Sequence, residues 1–207
     1  MTKRLLDIIF SGLGLIFLSP LFIFISLWIK CDSPGPIFFR QERVGQFGKT
    51  FLIHKFRTMI VDAEKCGIQI TIDKDYRITK SGFLLRHYKL DELPQLIDVL
   101  LGKMSLVGPR PEVPKYVAYY PEDVRDLILS VKPGITDRAS IEFRDENKLL
   151  GHAVDPEKIY RETILPIKIK YYKNYALKNN IYDDYLIIKK TLQSIFKDRD
   201  FNRTDNL

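Results

Sequence analysis

Two adjacent carboxylates, Asp91 and Glu92, stand near the start of the stretch KLDELPQLIDVLLGKMSLVGPRP, residues 89–111. One carboxylate could attack phosphorus and carry an aspartyl-phosphate type intermediate. The other could hold Mg2+, which prefers oxygen ligands completed by substrate phosphates. Arg110, on the stiff Gly108-Pro109-Arg110-Pro111 turn, and the N–H groups of a helix start would then hold phosphate oxygens. The same acids also have a plainer reading, because Asp and Glu in a first helical turn cap free N–H groups and favour the helix dipole. Arg110 taken alone reads equally as a surface residue or an ion-pair partner. These residues by themselves leave both readings open.

The element that must position them is an amphipathic helix. Leu93, Leu96, Ile97, Leu100 and Leu101 follow the i, i+3, i+4, i+7, i+8 spacing of one helical face. Asp91 is expected to cap this helix, with Pro94 tolerated in its first turn. Upstream, PIFFRQ and TFLIHKFR read as two short strands joined by the glycine-bearing RVGQFGK loop. This hairpin gathers Arg40, Arg43, Lys49, Lys55 and Arg57, either as a solvated basic face or one resting on anionic headgroups. Lys55 and Arg57 are the sharper candidates because, with Thr58, they sit among apolar residues. Residues 61–66 read as a short helix, Asp73-Lys74-Asp75 as a polar loop, and Arg86 lies five residues before Asp91.

Residues 8–29 are almost uninterruptedly apolar, and as a helix they would measure roughly 33 Å, enough to cross a bilayer core once. Lys3 and Arg4 precede this segment, whereas Lys30, Arg40, Arg43, Lys49, Lys55 and Arg57 follow it. The positive-inside rule therefore places both ends in the cytoplasm, which a re-entrant segment satisfies and a straight crossing does not. Pro20 supplies a break at the midpoint, and Ser19 can satisfy one of the backbone groups it frees. Asp7 is expected to pair with Lys3 or Arg4. SPGP at 33–36 ends the segment as a turn.

The net charge of +7 suits an anionic partner, and 12% aromatic residues argue against disorder. Cys31 and Cys66 give neither a disulfide framework nor metal-ligand spacing, and His54, His87 and His152 make no zinc signature. The basic residues lack a groove-reading helix, so nucleic acid is not an expected partner.

In order along the chain, the motifs Lys3-Arg4-Leu5-Leu6-Asp7, Ser19-Pro20, SPGPIFFRQERVGQFGKTF, KFRTM, Asp62-Ala63-Glu64, RITKSGFLLR, Asp91-Glu92, VGPRP and VKPGIT cover most of residues 3–140. Together they resemble the bacterial sugar transferases, the monotopic polyprenyl-phosphate phosphoglycosyl transferases. The resemblance implies transfer of a phosphosugar from a UDP-sugar to undecaprenyl phosphate with release of UMP, which starts a surface glycan. It implies Asp91 as the nucleophile, Glu92 as the Mg2+ ligand, and Arg86 and Arg110, with Lys55 and Arg57 as weaker candidates, as binders of phosphate or nucleotide. It further implies a re-entrant membrane helix broken at Ser19-Pro20 and a monotopic protein on the cytoplasmic face of the bacterial inner membrane, in contact with its lipids. A homodimer is compatible with this reading. The same chemistry on another nucleotide donor is a variant of it, and a membrane-anchored basic module that binds anionic lipid or a partner enzyme is the alternative.

The expected architecture is α+β and mostly helical: a re-entrant anchor over 1–31, a small cytoplasmic domain over 32–198 with a short β-hairpin and interfacial amphipathic helices, and a mobile tail over 199–207. After VKPGIT the chain resembles a second branch of the family, which bears on the identity of the sugar. Relatives often carry an acid near position 168, but this chain has Ile167-Lys168-Ile169, so no third metal ligand is nominated. Asp155-Pro156-Glu157 should start one helix, and Asp183 should cap a last one containing Tyr185, Ile188, Leu192 and Phe196.

Overall fold

The computed structural model describes residues 2–63, 75–151, 153 and 155–196. Helix α1, Thr2–Asp32, takes up the apolar segment and carries Pro20 within it, with no non-helical residue between its two halves. The proline ring removes one N–H, and Ser19 Oγ donates instead to the Ile16 carbonyl, at 2.8 Å, the oxygen that the missing N–H would have satisfied. Among the described residues α1 is the one helix long and apolar enough to cross a membrane.

Both ends of α1 are nevertheless fastened to the rest of the chain. Near its start, Arg4 donates to the carbonyls of Val99 and Leu100 at 2.6 and 2.9 Å. Asp7 is buried and accepts from Ser105 Oγ at 3.1 Å and Leu106 N at 3.0 Å. The expected pairing of Asp7 with Lys3 or Arg4 is thus replaced, since a buried carboxylate is satisfied by the donors that reach it. Lys3 pairs with Asp184. At the far end, Asp32 accepts from the N and Oγ of Ser81, both at 2.8 Å. Between these points Ile25 and Ile29 pack with Phe56 and Leu85 in one core cluster. Ile16, Phe17, Ile23, Phe24 and Leu27, by contrast, remain well exposed.

Strands β1, Phe38–Val44, and β2, Thr50–Phe56, form the expected antiparallel hairpin, with Phe38 opposite Phe56 and Val44 opposite Thr50. Its turn needs two left-handed residues, Phe47 at φ 58° and Gly48 at φ 74°. Of the helix expected over residues 61–66, residues 61–63 form a turn, and the remainder lies outside the described residues, as do Asp73 and Lys74. Helix α2, Lys80–His87, is capped by Thr79, whose side chain accepts from Gly82 N.

Helix α3 is short, Gln95–Leu100, and its polar face contributes to the buried side. Gln95, Asp98 and Val99 are buried, whereas Leu100 and Leu101 are 40% and 60% exposed. The polar side turns inward because Asp98 accepts from His54 N and pairs with His54 Nδ1, both at 2.8 Å. The leucines are left for α1 and for the outside; a methyl group added at Gly14 would stand 3.2 Å from Leu96.

A second sheet was not expected: β3, Ser105–Val107, pairs in parallel with β4, Gly134–Thr136. This pairing brings VGPRP against VKPGIT so closely that a Cβ at Gly134 would meet Gly108 N at 2.1 Å. The remaining helices are α4, Pro114–Val117; α5, Glu122–Leu129; α6, Arg138–Glu142; α7, Glu146–Gly151; α8, Pro156–Ile159; α9, Leu165–Lys178; and α10, Ile181–Phe196. Their largest shared core contains Tyr116, Val117, Tyr120, Val124, Ile128, Tyr160, Leu165 and Tyr172. Asp155 caps α8 as expected, accepting from Lys158 N. Asn180, not Asp183, caps α10: Asn180 Oδ1 accepts from Asp183 N at 2.8 Å, which puts Asp183 inside the first turn. The tail lies outside the described residues.

Candidate active site

Asp91 does not cap a helix. It lies in a 3-10 turn, Leu90–Glu92, that joins α2 to α3, and α3 starts only at Gln95 without a side-chain cap. Lys89 makes this turn possible by taking a left-handed conformation, φ 57°, directly after α2. A non-glycine residue there costs about 1–2 kcal/mol, which the surrounding packing must offset. The result is that Arg86, on the last turn of α2, and the two acids line one cavity.

The two carboxylates have opposite surroundings. Glu92 Oε1 accepts from Lys55 Nζ at 2.9 Å, and its two oxygens also pair with the Arg110 guanidinium, Oε2 at 3.1 Å from Nη1. Burial alone would raise the Glu92 pKa, but Arg110 and Lys55 outweigh it and hold the carboxyl well below the ordinary range. Asp91 is 7% exposed, and its Oδ1 is buried without a hydrogen-bond partner. Burial, followed by the neighbouring Glu92 charge, raises its pKa. Pairs whose environments drive them apart in this way are a mark of acid–base or nucleophilic roles. Burial also pushes the Lys55 ammonium down to about 8, against the opposing pull of Glu92.

Arg110 is positioned from two directions. Its backbone N donates to Asp137 Oδ2 at 2.9 Å, while Asp137 Oδ1 accepts from Ser140 N at 2.6 Å as the cap of α6. Asp137 is almost fully buried and was not among the residues singled out in the sequence; its Asp-x-x-Ser spacing at a helix start was the available signal. Arg86 donates from Nε to Thr58 Oγ1 at 3.0 Å. Arg57 is placed differently: its Nε, Nη1 and Nη2 donate to the carbonyls of Pro36, Pro34 and Ser33 at 2.6, 2.6 and 2.8 Å. Its guanidinium clamps the SPGP turn instead of joining the dyad. Ser19 and Pro20 belong to α1.

The dyad opens into a polar cavity of about 240 Å³, with Tyr116, Ser140, Glu146, Tyr160 and Lys168 on its other walls. Lys168 is buried and paired with Glu146 at 2.5 Å, and Tyr160 donates to Glu112 at 2.7 Å. Tyr116 Oη, Ser140 Oγ and Arg43 Nε are buried without partners. Several unpaired polar atoms around one cavity suit a ligand rich in hydroxyl and phosphate oxygens. A neighbouring cavity of about 540 Å³ runs from Asp91, Lys55 and Arg86 along the hairpin to Phe38 and Met59. Among the described residues no three His, Cys, Asp or Glu side chains gather to hold a metal ion.

The family model described as bacterial sugar transferase matches residues 1–198. The chain is 36% identical over 197 residues to an Aeromonas hydrophila protein named UDP-N-acetylgalactosamine-undecaprenyl-phosphate N-acetylgalactosaminephosphotransferase, covering 93% of the chain and 43% of that protein. It is 44% identical over 142 residues to the Escherichia coli (strain K12) UDP-glucose:undecaprenyl-phosphate glucose-1-phosphate transferase, covering 67% of the chain and 30% of that protein. It is also 35% identical over 198 residues to the undecaprenyl-phosphate glucose phosphotransferase of Komagataeibacter xylinus, covering 93% and 36%. The chain thus spans less than half the length of these three relatives.

Proposed function

The chain belongs to the bacterial sugar transferase family, and from this premise we propose that it moves a sugar 1-phosphate from a UDP-sugar to undecaprenyl phosphate. The observation that carries the reading to particular residues is the asymmetric dyad. Asp91, on the cavity wall, has a buried oxygen without a hydrogen-bond partner, whereas Glu92 is engaged by Lys55 and Arg110.

In the first half-reaction an Asp91 oxygen attacks the phosphorus that bears the sugar. The bond from that phosphorus to the bridging oxygen breaks, and UMP leaves with the electron pair. In the second half-reaction an oxygen of the lipid phosphate attacks the same phosphorus, and the Asp91 carboxylate departs. Lys55, Arg86 and Arg110 face the cavity and offset the negative charge that would otherwise keep a carboxylate from a diphosphate. Mg2+ would supply further neutralisation of the phosphate oxygens. Asp91 and Glu92 both line the cavity, and such a carboxylate pair fits a cation whose remaining ligands are substrate phosphates. Glu92, nominated for this role from the sequence, already accepts from Lys55 and Arg110, so a cation held there would share the carboxylate with them.

The same reading makes α1 a re-entrant anchor on the cytoplasmic face, with both ends on one side. It is supported by the docking of Arg4 and Asp7 at one end and Asp32 at the other onto the remainder of the chain. An acceptor phosphate at headgroup level would then meet the dyad from the membrane side.

The test is intact-mass analysis after incubation with UDP-sugars and Mg2+ in the absence of lipid. A phosphosugar adduct mapping to Asp91, and lost in Asp91→Asn, is the expected result. Normal turnover by Asp91→Asn would remove Asp91 from the nucleophile's role.

A further inference from the structure

A third cavity, about 700 Å³, lies on the other side of Glu92 and Arg110. Its walls are mainly apolar: Leu6 and Phe10 of α1, Leu93 just before α3 and Leu96 within it, and Ile188 and Leu192 of α10. Lys89, Glu92, Arg110, Ser140 and Arg144 line both this cavity and the polar one, so the two meet along those residues. Asp91 borders the polar cavity and the hairpin cavity but not this one.

We propose that this groove between α1, α3 and α10 binds the isoprenoid chain of the acceptor and delivers its phosphate to the dyad from the Glu92–Arg110 side. The inference rests on the reading that the acceptor is a polyprenyl phosphate. The chemistry of the groove matches one amphiphile: a long hydrocarbon for the apolar walls and an anionic head for Lys89, Arg110 and Arg144 at the junction. Leu6 and Phe10 belong to α1, whose outward face carries exposed Leu5, Ile9 and Leu13, so a chain leaving the groove passes into an apolar surface. The donor is left with the polar and hairpin cavities that reach Asp91. Donor and acceptor therefore approach from different sides, and each half-reaction depends on a different wall.

That separation supplies the test. Ile188→Trp narrows the groove without touching the dyad, and Ile188→Ala widens it. Wild type and both variants are charged with the UDP-sugar and then discharged either with undecaprenyl phosphate or with a ten-carbon isoprenyl phosphate. Ile188→Trp is expected to form the covalent adduct at the wild-type rate but to discharge to undecaprenyl phosphate roughly tenfold more slowly, the loss expected when about two methylene groups can no longer be buried. Discharge to the short acceptor should change far less. Unchanged discharge to undecaprenyl phosphate, or an equal loss with both acceptors, would overturn the proposal. Crosslinking with a photoreactive long-chain isoprenyl phosphate reads the site without catalysis. Labelling of α10 and residues 93–96, resistant to excess phosphatidylglycerol vesicles, supports the groove; labelling elsewhere, or full competition by the vesicles, refutes it. Failure to form any adduct would instead count against Asp91 chemistry, and the crosslinking result would still decide the groove.

Discussion

Gly82→Ala separates the local preference of a helix from the packing that positions the site. Alanine is the better helix former by about 1 kcal/mol, so propensity alone predicts that the change stabilises α2. Packing predicts the reverse. A Cβ at position 82 would stand 2.1 Å from the Thr58 carbonyl oxygen. Ordinary carbon–oxygen contacts begin near 3.3 Å, so one side must retreat by roughly 1.2 Å. The Thr58 carbonyl already accepts from Thr79 N at 3.0 Å, at the capped start of α2, and that bond would be lost in the retreat. Overpacking costs about 1–3 kcal/mol and a buried carbonyl left unpaired about as much again, so the clash outweighs the gain in propensity. The net expectation is destabilisation by about 1–5 kcal/mol. Thr58 also holds Arg86 through Oγ1, so the same shift moves an arginine that lines the Asp91 cavity. Misplacement on the order of 1 Å can cost about 100-fold in rate. Thermal unfolding in detergent, alongside the rate of adduct formation, measures both effects. An alanine variant as stable and as fast as wild type would refute the argument from close packing.

Two further outcomes follow from the geometry. Lys55 has its pKa lowered to about 8 by burial, so in the free protein it is protonated below that pH and loses its charge above it; kcat/KM for the donor should fall as pH rises through about 8, and Lys55→Arg should carry the alkaline limb upward. In a Cys66→Ser background, Thr2→Cys and the native, exposed Cys31 should react with a membrane-impermeant maleimide from the same side of sealed vesicles, whereas labelling from opposite sides would restore a simple crossing by α1.

The hairpin was legible because strand alternation and a glycine-bearing turn are local signals. The apolar segment was legible for the same reason, and so was the Asp155 cap. The stripe Leu93, Leu96, Ile97, Leu100 and Leu101 was real as a pattern, yet it did not say that its outer leucines stay exposed while Gln95, Asp98 and Val99 turn inward. Its polar neighbour Asp98 is drawn inward by His54, 44 residues away. Periodicity reports which residues share a face, but not what that face meets. The partners of Asp7 were equally hidden, since Ser105 and Leu106 lie 98 and 99 residues along the chain. The parallel pairing of β3 with β4 has no local signature at three residues per strand, and only the close approach at Gly108 and Gly134 explains why both motifs need glycine there. Asp91 and Glu92 were legible as a pair, whereas their division of labour depends on where Lys55 and Arg110 arrive in space.

That division can be argued from the cost of the reverse assignment. If Glu92 were the attacking carboxylate, it would have to leave Lys55 and Arg110 as it turned toward phosphorus. Depriving buried cations of their partner costs about 3–5 kcal/mol, equivalent to roughly 10²- to 10⁴-fold in rate. Asp91 faces no such cost, because its Oδ1 has no bond to break. Burial and the Glu92 charge raise the Asp91 pKa, which makes its carboxylate the more basic of the pair. Glu92 keeps its charge over a wider pH range because the two cations hold its pKa down. It thereby fixes the arginine and lysine in the cavity and raises the basicity of its neighbour. On the proposed mechanism, Asp91 is therefore the carboxylate that forms the bond, and Glu92 the one that arranges the charges around it.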